Sequence, residues 1–349
     1  MTQSFVRNAK LLLALAAIIL HAPGQASSQS KELIEFNYGT PLGTYHATLV
    51  AKEAGLYEQE GLAPKFFNFQ SGAPMLAALK SKSLDVITTG LGTVFALGQG
   101  IPLKIMYWEI DNGAAEALIV SPDSEIKTLE DLPKAKAIGA MSGTCGQVSL
   151  VLIAKKLGIP YRSLNLVNIA PPMYGNAFTS KSIDAGIAWS PFSIQLEQQG
   201  YRVVEWAPQY TPDGGICPAM TSVRPEFLEK HPDIGVKMLK VRDKALKMMA
   251  DDPELVIQAL MKRFSISREV AKATYEKESP KTPSFQEQLD PNSSVSLTAG
   301  SGKGLSNKLR VASEALAEAG SIPAPLSMAA IDDAIDPSHL QRFMKGESQ

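Results

Sequence analysis

Short apolar runs alternate with amphipathic stretches along the chain from Leu33 to Trp108. The apolar runs predict strands over LIEFNYGT (33–40), APKFFNF (63–69), LDVITTG (84–90) and PLKIMYW (102–108). Apolar positions at helical spacing predict helices between these runs, over 47–62, 73–83 and 93–100. Because strands that alternate with helices pair in parallel through right-handed crossovers, this pattern predicts an α/β unit.

The same rhythm restarts after residue 112. Strands are predicted over 116–122, 136–142, 164–170, 183–189 and 201–207, and helices over 147–158, 175–182 and 191–200. Two α/β units of similar length therefore follow one another. After Pro225 the periodicity becomes helical, over 225–264, 266–278 and 305–320, with a polar stretch at 279–304 that is too long to lack short elements of its own. The chain is thus predicted to be α/β with a helical C-terminal segment.

The N-terminal residues have the pattern of a secretory signal peptide. Arg7 and Lys10 precede an apolar run from Leu11 to Leu20, and Gly24 and Ala26 occupy the positions that a signal peptidase inspects. We expect residues 1–26 to be removed and the mature chain to reside in a periplasm-like compartment. No cysteine stands at the cleavage point, so a lipid anchor is not expected.

Charge and length narrow the class of protein further. With 34 basic and 35 acidic side chains the formal net charge is −1, which argues against a nucleic-acid partner. A chain of 349 residues is longer than a single hydrophobic core usually stabilises, so two domains are expected. The two cysteines, Cys145 and Cys217, could pair in an oxidising compartment.

Small and hydroxyl-bearing residues recur where a predicted strand gives way to a helix. They are Ser71 and Gly72 in FQSGAP, Gly90, Gly92 and Thr93 in TTGLGTV, and Ser142, Gly143, Thr144 and Cys145 in MSGTCG. Free N–H groups at helix N-termini bind anions, and ligands of open α/β sheets lie at the carboxyl ends of strands. Three such loops predict one small anionic or polar ligand, although each loop alone could be an ordinary helix cap.

Signatures of catalysis are sparse. The sequence has no G-x-S-x-G elbow, Walker loop, H-E-x-x-H or paired C-x-x-C motif, so no enzyme activity, metal or cofactor is expected. Cys145 lacks a recognisable His or Asp companion, which favours a bridge to Cys217 or a buried thiol over a nucleophile.

Three further residues are candidates for ligand contact, each with a structural alternative. His46 opens the first helix where a ligand crevice should lie, or is a polar helix start. Trp189 ends a strand and could close over a ligand or pack in the core. Glu116 enters an apolar strand, where a ligand cation or an internal Arg or Lys would have to accompany it.

Several of these segments together resemble a known family. FQSGAPMLAALKSKSLDVITTG, EALIVSPDSEIKTLEDLPKAKAIG, LNLVNIAPPMYGNAFTSKSIDAGIAWSPF and VRPEFLEKHPD, in this order, are similar to periplasmic substrate-binding proteins of the taurine, alkanesulfonate and nitrate ABC importers. The stretch from Pro171 to Pro191 looks closest to taurine-binding proteins. The resemblance covers nearly the whole mature chain.

The resemblance implies the type II periplasmic-binding-protein fold, with two Rossmann-like lobes that close on a ligand. Lobe 1 would comprise 31–112 and 222–349, lobe 2 would comprise 113–221, and hinge crossings would lie near 112–116 and 216–223. A monomer that delivers its ligand to a membrane permease and its ATPase is implied, without catalysis or cofactor. The implied ligand contacts are Thr44, Tyr45, His46, Ser71, Gly72, Gly92, Thr93, Glu116, Ser142, Gly143, Thr144, Cys145 and Trp189.

The ligand itself is less closely defined. Taurine-binding relatives carry an acid in the second hinge strand, where this chain has Ala219 and neighbours without a carboxylate, whereas Glu116 matches the other acid. A sulfonate or another small organic anion with an apolar body is therefore expected. Alternative ligands are a thiamine pyrimidine precursor and an aromatic carboxylate. An alternative role is that of a ligand-sensing module that reports to a membrane receptor. PLGTYHATLVAKEAGLYEQEGL is also similar to thiamine pyrimidine synthases, but the cysteine-rich motif of those enzymes is lacking.

Overall fold

The computed structural model of the protein describes residues 33–69, 72–211, 216–300 and 302–347. The predicted signal peptide, residues 1–26, and the predicted contact Ser71 lie outside the described residues. Within the described residues, no helix combines the length and apolar character that crossing a bilayer requires.

Ten strands in the described part of the chain form two five-stranded sheets. The strands are β1 (Ile34–Thr40), β2 (Leu62–Asn68), β3 (Val86–Thr89), β4 (Lys104–Asp111), β5 (Ala117–Val120), β6 (Ile138–Gly139), β7 (Leu166–Val167), β8 (Ala185–Ala188), β9 (Arg202–Trp206) and β10 (Pro218–Val223). Each strand predicted from the apolar runs overlaps an observed strand, and β4 extends three residues beyond its predicted end. The predicted α/β class is confirmed.

Helices fill most of the remaining described residues. They are α1 (His46–Glu53), α2 (Leu56–Gln59), α3 (Gly72–Lys80), α4 (Gly92–Gly98), α5 (Cys145–Leu157), α6 (Tyr174–Thr179), α7 (Phe192–Gln198), α8 (Ala207–Tyr210), α9 (Pro225–Lys230), α10 (Ile234–Asp251), α11 (Glu254–Phe264), α12 (Arg268–Glu278), α13 (Phe285–Leu289), α14 (Gly304–Glu318), α15 (Met328–Ala334) and α16 (Ser338–Met344). The polar stretch at 279–304 contains α13 and a single 3₁₀ turn, Ser279–Lys281, as its length predicts.

The first sheet has the order β2-β1-β3-β10-β4. β1 pairs in parallel with β2 and β3, as the alternating pattern predicts. β10 differs, because it runs antiparallel to both of its neighbours, β3 and β4. All six residues of β10 are buried, since the strand lies in the interior of the sheet.

The second sheet has the order β7-β6-β8-β5-β9. β6 pairs in parallel with β7 and β8, whereas β5 runs antiparallel to β8 and β9. The antiparallel strands β5 and β10 are those that follow the two chain crossings between the sheets. The first crossing is the 3₁₀ turn Asn112–Ala115, and the second leads from β9 through α8 to β10. The lobe boundaries remain a prediction.

Helices from the C-terminal segment pack against the first sheet's helix α1. A buried ion pair anchors this contact: Arg242 on α10 pairs with the Glu109 carboxylate on β4 and donates to its backbone oxygen at 2.8 Å. Oε1 of Glu109 also accepts from the backbone N–H of Thr48 at 3.0 Å and from its hydroxyl at 3.1 Å. One buried carboxylate thereby fixes the first turn of α1 against β4, next to the candidate site.

Candidate functional site

A small cavity lies where the carboxyl ends of strands from both sheets meet. It has a volume of about 70 Å³ and is lined by Pro41, Leu42, Gly43, Tyr45, Thr89, Gly90, Leu91, Gly92, Asn112, Met141, Gly143, Thr144, Cys145, Trp189 and Cys217. None of these lining residues carries a charge. Since one water needs about 10–15 Å³ measured in this way, the cavity has room for roughly five to seven non-hydrogen atoms. Ligands of proteins with open α/β sheets usually bind at this position, at the carboxyl ends of the strands.

The cavity contains about half of the residues predicted to contact a ligand. Tyr45, Gly92, Gly143, Thr144, Cys145 and Trp189 line it. Thr44 and Thr93 are fully buried instead, Ser142 is exposed outside it, and Gly72 begins α3. The pattern of small residues at strand ends therefore leads to the edge of the sheets where this cavity lies, but it does not separate residues that face the cavity from those that face the core.

The structure corrects the interpretation of His46. Its imidazole is buried rather than directed into the cavity, with Nε2 3.1 Å from Oε2 of Glu278 on α12 and its ring 5.7 Å from that of Tyr275. His46 is the first residue of α1, and this helix start packs between the first sheet and α12. The residue therefore joins two distant parts of the core.

Glu116 is also buried outside the cavity lining. Its Oε1 accepts a hydrogen bond from the Ser149 hydroxyl on α5, and among the described residues no Arg or Lys pairs with it, contrary to one expectation from the sequence. Burial raises the pKa of Glu116 to about 8, and the hydrogen bond from Ser149 opposes this shift. The carboxyl group is therefore largely protonated at neutral pH.

Many hydrogen-bond donors of the MSGTCG loop are paired with acceptors of the protein itself. The N–H of Ser142 donates to Asn168 at 3.0 Å, the N–H of Gly143 donates to Gln147 at 2.7 Å, and the Thr144 hydroxyl donates to the backbone oxygen of Met141 at 2.6 Å. These three donors, which were predicted to contact an anion, are therefore already hydrogen-bonded to protein acceptors in the loop, in α5 and after β7. The N–H of Cys145 belongs to the first turn of α5, where amides have no acceptor within the helix, and Cys145 lines the cavity.

Two glycines bring the backbone close to this site. Gly143 has φ +72°, and a Cβ at this position would lie 2.6 Å from the ring of Phe95 on α4. A Cβ at Gly43 would lie 2.3 Å from the ring of Tyr45. Burial raises the pKa of Tyr45, so its phenol stays neutral at the cavity wall.

Asn112 is a polar lining residue that the sequence reasoning missed. Its Nδ2 donates to Oγ1 of Thr44 at 3.0 Å and to Oε1 of Glu278 at 2.9 Å, and Ser190 also donates to that Glu278 oxygen. Both hydrogens of the amide nitrogen are thereby used. Asn112 directly follows the observed strand β4, but the predicted strand ends at Trp108, so the strand-end pattern did not reach Asn112.

Two links join the first-sheet side of the cavity to the second-sheet side. Half-buried Trp189, after β8, donates from Nε1 to the backbone oxygen of Leu42 at 3.0 Å. Cys145, at the start of α5, forms a disulfide with Cys217, which directly precedes β10. The two cysteines that the sequence allows to pair are therefore bonded to one another and form part of the cavity wall.

Comparison with known proteins places this geometry in context. Residues 44–255 match the model of the family described as NMT1/THI5 like. A putative aliphatic sulfonates-binding protein of Bacillus subtilis strain 168 is 30% identical over 251 residues, which cover 68% of this chain and 73% of the relative.

Two solved structures show the same fold at low identity. The alkanesulfonate-binding protein SsuA of Xanthomonas axonopodis pv. citri, bound to MOPS, has a TM-score of 0.70 at 18% identity and covers 87% of this chain and 99% of its own. The periplasmic nitrate-binding protein NrtA of Synechocystis PCC 6803 has a TM-score of 0.71 at 14% identity and covers 90% of this chain and 89% of its own. The predicted periplasmic-binding-protein fold is confirmed.

Proposed function

Because the chain belongs to the NMT1/THI5-like family and has the periplasmic-binding-protein fold, we propose that it captures a small alkanesulfonate in the described cavity. It would deliver this ligand to the permease and ATPase of an ABC importer, acting as a monomer in the periplasm. The similarity to the Bacillus subtilis relative, whose name states aliphatic sulfonates, supports this ligand class.

The observation that carries the proposal is the composition of the cavity wall. Leu42, Leu91, Met141 and Trp189 supply apolar surface that suits an alkyl body, and the first-turn N–H of Cys145 supplies a donor at the positive end of the α5 dipole. A sulfonate group spreads one negative charge over three acceptor oxygens, which suits recognition by amides and hydroxyls without a counter-ion. Nitrate would leave the apolar wall without a partner.

The size of the cavity limits the chain length of the ligand. Room for roughly five to seven non-hydrogen atoms accommodates a sulfonate group with one to three further atoms. The segment that resembles thiamine pyrimidine synthases, residues 41–62, contains His46, whose imidazole is buried against Glu278 and does not line the cavity.

The test is a thermal-shift and calorimetric series on the mature protein. We expect methane-, ethane- and propanesulfonate to raise the melting temperature, whereas nitrate, the matched carboxylates and thiamine pyrimidine precursors do not. A ligand at a hundred times its Kd adds about 2.7 kcal/mol to the free energy of unfolding. A response to nitrate or a neutral pyrimidine alone would contradict the proposal.

A matched pair of tryptophan variants locates the binding site. Trp189→Phe removes the donor to Leu42 and should weaken sulfonate binding about three- to tenfold, in keeping with one lost hydrogen bond. Trp206→Phe changes the same side chain outside the cavity lining, next to Lys277, and should leave affinity unchanged. Equal effects of the two substitutions would place the ligand elsewhere.

A further inference from the structure

The Cys145–Cys217 disulfide is unusual in its surroundings, because both of its sulfur-bearing residues line the ligand cavity. The bridge joins the start of α5 to the chain immediately before β10, and each residue is about 5% exposed. A disulfide with a purely structural role does not need a cavity beside it. A small molecule in this cavity would be in contact with the bridge.

A buried carboxyl group lies close to the two sulfurs. A carboxylate oxygen of Glu116 and the two Sγ atoms all lie within 4.8 Å of one another. Glu116 is 1% exposed, its Oε1 accepts from Ser149, and its Oε2 has no hydrogen-bond partner among the described residues. Burial holds the pKa of this group at about 8, so it carries a proton at neutral pH. A protonated carboxyl group therefore lies beside the disulfide.

The fold also distinguishes the two sulfurs. Cys145 is the first residue of the 13-residue helix α5, where the helix dipole and free amides stabilise a thiolate. Cys217 precedes a strand and has no such stabilisation. In thiol–disulfide exchange the sulfur of lower pKa is the better leaving group, which favours departure of Cys145 and attack on Cys217.

We propose that this bridge is a reactive site for small thiols that enter the cavity, with the protonated Glu116 carboxyl group as a hydrogen-bond donor to the departing Cys145 sulfur. The incoming thiolate forms a bond to Sγ of Cys217, the Cys145–Cys217 bond breaks, and its electron pair goes to Sγ of Cys145. Cys145 departs as a thiolate that the α5 dipole and a hydrogen bond from the protonated Glu116 carboxyl group stabilise, and Glu116 keeps its proton. The incoming sulfur is oxidised and Cys145 is reduced, so the step balances without another reactant. The product is a mixed disulfide on Cys217.

The groups that face Glu116 are two neutral tyrosines and one ion pair. Burial raises the pKa of Tyr174 and of Tyr210, which stay neutral. Asp111 forms an ion pair with Lys308 at 3.0 Å. A change in reactivity near pH 8 can therefore be assigned to Glu116 itself.

The experiment treats the folded, oxidised mature protein with 2-mercaptoethanol and with 2-mercaptoethanesulfonate, followed by acid quench and mass spectrometry. We expect one adduct, mapped to the peptide that contains Cys217. The rate constant per incoming thiolate should fall as pH rises above about 8, because Glu116 loses its proton. In Glu116→Gln, which cannot ionise, this fall should be absent. Ser149→Ala should move the fall to higher pH, because the hydrogen bond that lowers the pKa of Glu116 is gone.

Two outcomes would overturn the proposal. One is a bridge that reacts only after guanidinium has unfolded the protein, and the other is a wild-type rate per thiolate that does not change between pH 6 and 10, which requires no variant. The two probes separate this inference from the proposed ligand class. Equal rates for both thiols would leave the reactive bridge intact and weaken the sulfonate proposal alone.

Discussion

Glu116 shows how one buried side chain can dominate the pH response of a protein. The carboxyl group is buried, its Oε1 accepts a hydrogen bond from the Ser149 hydroxyl, and its pKa of about 8 compares with 4.5 for an exposed glutamate. Between these values the folded protein holds a proton that the unfolded chain has released. The free energy of unfolding must therefore fall as pH rises through this window and level off above it.

The substitution Glu116→Gln tests this residue directly. The amide keeps the shape of the protonated acid and cannot ionise, so the variant should lack the loss of stability that wild type shows between about pH 5 and 8. One pKa unit corresponds to about 1.4 kcal/mol, so the difference between the two proteins should reach several kcal/mol at pH 8. Urea unfolding at a series of pH values measures it. Parallel pH profiles of the two proteins would show that Glu116 is ionised in the fold.

At the scale of the element, α5 depends on a glycine at each end. Gly143 precedes the helix with φ +72°, and Gly158 follows it with φ +68°. The positive φ angle favours glycine at both positions, but the neighbouring atoms differ. A Cβ at Gly143 would lie 2.6 Å from Phe95, whereas a Cβ at Gly158 would have nothing within 4 Å.

This pair provides a matched measurement. Gly158→Ala should cost about 1 kcal/mol of unfolding free energy, the usual cost of a left-handed alanine, and should leave ligand binding unchanged. Gly143→Ala should cost about 1–3 kcal/mol more, because α4 or the loop must move to relieve the contact. It should also weaken ligand binding, since Gly143 lines the cavity. Thermal unfolding and calorimetry of both variants give the comparison, and equal costs would mean that Phe95 moves freely.

The elements themselves were largely predictable, and the reason is local. Apolar runs such as LDVITTG and helical periods such as QVSLVLIAKKLG carry their signal within a few residues, and each became the expected strand or helix. The direction of β5 and β10 was not predictable from periodicity, because antiparallel pairing depends on where the crossings deliver the chain. The site was predictable only to its edge of the sheets, since the partner of His46 stands 232 positions later in the sequence.

For the whole molecule, the disulfide closes a long loop that contains most of the second sheet. The bonded cysteines are 72 positions apart, and the segment between them includes β7, β8 and β9. Cross-linking a loop of this length removes roughly 4 kcal/mol of conformational freedom from the unfolded chain in the loop-entropy model. The bridge also connects the two sides of the cavity.

The double variant Cys145→Ser with Cys217→Ser should therefore unfold with roughly 4 kcal/mol less free energy than the oxidised wild type. Chemically reduced wild type is the matched control, because it loses the same bond without a change of sequence. Both proteins should bind the alkanesulfonate, since the lining remains. Urea unfolding and calorimetry measure the two effects. Unchanged stability would mean that the reduced unfolded chain is already compact.

The position of β10 has a consequence for how this protein is made. The strand fills the gap between β3 and β4, yet it is reached only after the whole second sheet has been traversed. A growing or translocating chain thus carries two open strand edges in its N-terminal part until residue 223 has emerged. Unpaired strand edges can pair with strands of other chains. We therefore expect the chain to depend most on chaperones that bind extended segments before residue 223 has emerged.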